Sequence, residues 1–204
     1  MMKAVMAASA ALSIVAMAGH ASAQGREGAD RVLLDAAQCM VNGRPAEARA
    51  LIAMSPFTKE ANEAQQRFTA GRDECMRATT GSRGGKLRAD YISTRAAIAR
   101  QLYLRDVKVA PAETTVNTSA PFTGSGKAQL VSHDVARCAA TRDPVAADML
   151  IRAGLRSNAE KVALERLMPV IASCTPTGAR LGFKSDTLRG HLAEALLTAR
   201  ATGA

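Results

Sequence analysis

Cys39 and Cys75 lie 36 positions apart, Cys138 and Cys174 also lie 36 apart, and a single offset of 99 residues carries the first pair onto the second. The same offset aligns Asp35 with Asp134, Ala37 with Ala136, Pro45 with Pro144, Ala48 with Ala147, Leu51 and Ile52 with Leu150 and Ile151, Ala64 with Ala163, and Arg67 with Arg166. With the cysteines, 10 of 41 ungapped positions agree, too regular a pattern for coincidence. Beyond the second cysteine the offset falls to 94, aligning Arg95, Ala99 and Leu102 with Arg189, Ala193 and Leu196, so the first copy carries five additional residues. Each copy spans about 70 residues, which makes this a duplicated small domain and not an array of short solenoid units.

Residues 1–23 begin with one cation, Lys3, continue through an apolar run from Ala4 to Ala18, and end in Ala21-Ser22-Ala23. A basic start, a short apolar centre and a small-x-small site read as a secretory signal peptide with cleavage after Ala23. The run is shorter than the roughly 20 residues that span a bilayer. The expected organisation is a signal peptide over 1–23, a disordered N-terminus over 24–30, repeat one over 31–105, a flexible linker over 106–128 and repeat two over 129–204. The Pro, Thr, Ser and Gly content of 106–128 suggests the linker.

Export to a periplasmic or extracellular setting changes the reading of the cysteines, because an oxidising compartment favours structural bridges. Four cysteines allow three connectivities; duplication selects Cys39 with Cys75 and Cys138 with Cys174, each copy closing its own. There is no C-x-x-C pair, and only His133 and His191 remain after cleavage, so neither a metal site nor a cofactor is expected. Methionines 40, 54, 76, 149 and 168 read as gap fillers and not as copper ligands.

Alanine-rich, helix-favouring composition without alternating β-branched residues predicts an all-α protein of two homologous, disulfide-stapled lobes with about four helices each. The helices are expected near 31–42, 45–54, 58–78 and 89–105, and again near 129–141, 144–154, 158–174 and 186–200. Pro45 and Pro144 suit a first helical position, Asp143 a cap, and Ser157 to Glu160 a capping box, with Thr58 equivalent to Ser157. Pro169 predicts a kink or break in the long helix of copy two. Leu51, Ile52, Leu150, Ile151, Ile98, Leu102, Leu192 and Leu196 are the expected core. Ion pairs are expected between Asp35 and Arg67 and between Asp134 and Arg166.

The chain carries a net charge of +9, or +8 without Lys3. Arg77, Arg83, Lys86 and Arg88 cluster in the acid-free stretch 77–88, beside Gly81, Gly84 and Gly85. They are the candidate anion contact, since arginine forks match phosphate and carboxylate oxygens; the alternative is a solvated loop. Export argues against nucleic acid, and the scarcity of aromatic rings removes the platforms that stack bases or sugars. An anionic envelope component or an acidic protein remains as partner. Thr80 to Leu87 and Pro121 to Ala128 both fail as phosphate loops at their first and last positions. Ser132-His133-Asp134 cannot act as a triad, because neighbours along one helix point apart. His133 and His191 have Leu34 and Ala97 as equivalents in copy one and read as ordinary surface or half-buried side chains. Asn117-Thr118-Ser119 fits a glycosylation sequon.

The pattern Cys138, Asp143-Pro144, Leu150-Ile151, Cys174 and Leu188-Arg189-Gly190-His191-Leu192-Ala193-Glu194-Ala195-Leu196 resembles that of small exported, alanine-rich helical repeat proteins of alphaproteobacteria. The resemblance implies a periplasmic or secreted setting and transfers no activity and no functional residue. Copy one departs from it between Thr94 and Leu102, where Arg100 stands in the place of Glu194. The functional expectation is a non-catalytic binding or structural module of the envelope. The alternatives are an inhibitor or immunity-type protein capturing an enzyme or toxin and, less favoured, a hydrolase.

Overall fold

Local chemistry sets most of the helix starts. Pro45 and Pro144 open α2 (Pro45–Ala53) and α6 (Pro144–Arg152), where a missing N–H costs nothing. Thr58 and Ser157 accept from the backbone N–H groups of Ala61 and Glu160, both at 3.1 Å, and so start α3 (Lys59–Thr69) and α7 (Asn158–Cys174). Asp90 caps α4 (Tyr91–Asp106) through the Ser93 N–H, and Asp143 caps α6 through the Ala146 N–H. The residues just ahead of the Thr58 and Ser157 caps, Phe57 and Arg156, both have positive φ, so the same left-handed turn occurs at positions related by the 99-residue offset.

The computed structural model describes residues 18–70, 74–75, 89–113, 122–179, 181–182 and 184–202. Their order is α1 (Ala18–Gly43), α2, α3, α4, a 3-10 turn (Ala128–Leu130), α5 (Val131–Arg142), α6, α7 and α8 (Ser185–Thr202), with no strand among them. Both expected bridges form, Cys39 to Cys75 and Cys138 to Cys174, with Cα atoms 5.6 and 5.9 Å apart. The second fastens the end of α7 to α5. No helix among the described residues is long and apolar enough to cross a membrane.

α4 and α8 are buried on nearly every side, the condition of a central helix. They pack most extensively on one another, with α1 and α2 against α4 and with α5 and α6 against α8. Their crossing falls at Ala96 and Gly190, equivalent positions of the two copies. A Cβ at Gly190 would lie 2.2 Å from both Cα and Cβ of Ala96. Only glycine allows this approach, because the obstacle is partly backbone. The eight expected core residues are all buried, and they belong to a single apolar cluster that extends through both halves. The halves are therefore docked, with the Tyr103 hydroxyl donating to Asp148 across the outer side of the contact.

Several expectations are corrected. Residues 24–30, expected to be disordered, are helical, because Ala18 to Asp30 contains no proline and continues α1. α3 ends at Thr69, whose Oγ1 donates back to the Gln65 and Gln66 carbonyls; of the rest of the expected helix 58–78, Glu74 and Cys75 are helical and residues 71–73 and 76–78 lie outside the described residues. α7 continues through Pro169 without a break, since the proline and Glu165, whose carbonyl loses its partner, both face solvent. The described parts of the expected linker are fastened to the second half. The Val107 carbonyl accepts from Arg152, Glu113 pairs with Arg166, and Asp134 accepts from the N–H and hydroxyl of Ser125.

The expected Asp–Arg pairs between first and third helices do not form either. Arg166 binds Asp143 through Nε and Nη2, Asp134 pairs with Arg137, and Arg67 lies 3.9 Å from Glu63. The position equivalent to Asp143 is Arg44, which cannot attract Arg67; it stacks on Phe68 and donates to the Phe68 carbonyl instead. Met40 is buried, but Met149 and Met168 are exposed and fill no gap.

Candidate functional site

The contact between α4 and α8 holds an unusual number of buried charges. Arg95 donates to the Leu51, Ile52 and Met54 carbonyls at the end of α2 and clasps Glu194 through Nε at 3.1 Å and Nη2 at 2.7 Å. Its equivalent, Arg189, donates to the Ala153 and Gly154 carbonyls at the end of α6. The symmetry stops there, because Arg100 occupies the place equivalent to Glu194. Two arginines cannot pair, so Arg100 turns to the Ile151 and Ala153 carbonyls. Burial, and then the charge of Arg189, push it down to about 10. Glu160 compensates: it pairs with Arg189 at 2.9 Å and also accepts from Ser185 Oγ and the Arg156 N–H.

On the opposite side of the same contact, α5 brings His133 against His191 and Glu194 of α8. One ligand atom from each of the three lies within 4.8 Å of the others. The imidazoles meet edge to face with centroids 5.5 Å apart. His133 Nε2 is 3.2 Å from Oε1 of Glu194, yet not in the direction of a hydrogen bond, and His191 Nδ1 has no hydrogen-bond partner. Both nitrogens are buried, an arrangement that costs free energy unless something binds them. Burial, with His133 and Arg95 nearby, pushes His191 down to about 4, so it is neutral at ordinary pH. Burial alone would raise Glu194, but His133 and Arg95 outweigh it and hold the carboxylate ionised.

His133 and His191 also line a pocket of about 220 Å³, together with Phe57, Asp90, Ser93 and Lys184. The equivalent pocket on the other side is lined by Leu33, Leu34, Ala97, Asp30, Asp186 and Lys184 and encloses about 60 Å³. Under the offsets, His133, His191 and Glu194 correspond to Leu34, Ala97 and Arg100. All three members of the cluster therefore differ from their counterparts, and the pocket lined by the two histidines is the larger one.

A third cavity, of about 650 Å³, lies between α7, the segment after Cys174 and α8. Leu164, Met168, Ile171, Leu181 and Leu188 supply most of its walls, and none of the described lining residues is charged or aromatic. Its two hydroxyls already donate within the protein, Thr175 to the Ile171 carbonyl and Ser185 to Glu160. The cavity consequently presents hydrocarbon.

Of the residues singled out from sequence, the four cysteines are brought together in their expected pairs. Arg77, Arg83, Lys86 and Arg88 lie outside the described residues. The meeting of His133, His191 and Glu194 was missed. Two signals were present: His191 and Glu194 are three apart on one helical face, and each of the three positions breaks the internal repeat. No family model matches the chain, and neither a curated protein nor a solved structure shows significant similarity to it.

Proposed function

We propose that this chain is an exported, non-catalytic binding module of the cell envelope, built by duplication of a disulfide-stapled helical unit, which holds an aliphatic chain of an envelope lipid. The observation that carries this reading is the 650 Å³ hydrocarbon-walled cavity beside α7 and α8, a volume suited to a small ligand. Its described walls offer a polar metabolite no charged group and a sugar no aromatic face. The cavity also brings together no titratable pair, as acid–base chemistry requires. Two disulfides suit the oxidising compartment in which such a lipid is met. The signal-like residues 1–23 support the same setting.

The test is titration of the oxidised protein with a monomeric long-chain fatty acid, followed by calorimetry. Saturable binding of one equivalent is expected, and Ala172→Trp, which places an indole in the mouth, is expected to weaken it about 10-fold or more by occupying the apolar volume. Absence of binding, or binding equally strong in the Trp variant, would remove the lipid reading.

A further inference from the structure

We propose that His133, His191 and Glu194 form a binding site for a divalent zinc-type cation, with an open coordination position facing the pocket beside α5. The donor set is two imidazoles and one carboxylate, a combination that borderline ions such as Zn²⁺ accept with a fourth position left for water or a ligand. The separation of His133 Nε2 from Glu194 Oε1, 3.2 Å, is already that of two donors on one tetrahedral ion. Bonds of about 2.1 Å place neighbouring donors roughly 3.4 Å apart.

The orphaned nitrogens point to the same conclusion. Nδ1 of His191, a residue 7% exposed, has no hydrogen-bond partner, and Nε2 of His133 reaches Glu194 only at 3.2 Å without the alignment of a good hydrogen bond. Imidazole nitrogens that give up a proton to a cation, gathered beside a carboxylate, are what such an ion requires.

Arg95 is the obvious objection, since it already holds Glu194. A carboxylate has about four lone-pair sites, however, and the guanidinium leaves part of that capacity free. Ligating carboxylates are ordinarily fixed by such outer partners, and Arg95 is in turn fixed by three carbonyls at the end of α2. The pocket of about 220 Å³ gives the ion a route in and leaves room for water on it. The other copy supplies an internal control, because Leu34, Ala97 and Arg100 at the equivalent places have no ligand atoms to offer.

The experiment uses the full oxidised chain, stripped with a chelator and titrated with Zn²⁺ by calorimetry, and with Co²⁺ to read the intense visible absorption of a tetrahedral ion. One equivalent of Zn²⁺, a higher melting temperature and a tetrahedral Co²⁺ spectrum are expected. His133→Leu and His191→Ala, which install the residues of the other copy, are each expected to weaken binding about 100-fold or more by removing a direct ligand. Both variants remove an unsatisfied buried nitrogen, so they should keep the far-ultraviolet dichroism of the parent, and that is measured alongside. No stoichiometric binding, an octahedral Co²⁺ spectrum, or binding unchanged in folded His133→Leu and His191→Ala would each overturn the proposal.

Discussion

At Gly190 the approach of two helices is decided by one absent atom. Alanine is the better helix former by about 1 kcal/mol, so in isolation Gly190→Ala would strengthen α8. In the folded protein the new methyl would lie 2.2 Å from Ala96 Cα and 2.5 Å from its carbonyl oxygen, and neither can rotate away. The helices must separate, and the α4–α8 contact carries the centre of the core. Gly190→Ala is expected to lose about 3 kcal/mol in urea unfolding, the upper part of the range for overpacking. The second substitution Ala96→Gly should give little relief, because backbone obstructs as well as the Ala96 methyl. Full rescue by the double variant would show that the helices are not this close. Such a contact is hidden from sequence: a glycine inside an alanine-rich helix is unremarkable until the partner is known. The same holds for His133 and Glu194, whose meeting depends on how α5 lies against α8.

Individual helices were far more legible, because their starts are local chemistry. Asp143-Pro144 and Ser157 to Glu160 specify α6 and α7 through caps that satisfy particular N–H groups, and those caps form. What escaped was governed by contacts distant along the chain. The Asp134–Arg166 pair is displaced because Asp143, already fixed as a cap, offers Arg166 both of its oxygens. The 107–113 segment is fastened because Arg152 and Arg166 reach it from α6 and α7. The bridges belong to this scale as well, each tying the first helix of its half to the residue 36 positions further on. Closing a loop of that length stabilises by roughly 4 kcal/mol on the chain-entropy model. Cys138→Ala with Cys174→Ala is therefore expected to lower stability by about that amount while α5 to α8 remain helical by circular dichroism. A loss below about 1 kcal/mol would mean that the unfolded chain without the bridge already keeps these two segments close.

For the molecule as a whole, the question is whether the two repeat-related halves form two folding units or one. Two separate lobes on a flexible tether would each keep their own core, and would unfold independently. Here α4 and α8, the last helices of the two halves, are each other's principal neighbours, and the apolar cluster continues from Leu33 to Leu196 without dividing. Arg95 of one half is held by Glu194 of the other, and Arg100 caps α6 across the contact. Exposing that surface in a half-unfolded intermediate would strand buried charges and uncover apolar area together, and both costs oppose such a state. A single cooperative transition is thus expected in calorimetry, with van't Hoff and calorimetric enthalpies equal. The sharper form uses the bridge variant: Cys138→Ala with Cys174→Ala weakens only the second half directly, yet should move the whole transition to lower temperature without splitting it. A split transition, with the first half melting at the parent temperature, would establish that the halves fold independently and that their contact is only docking.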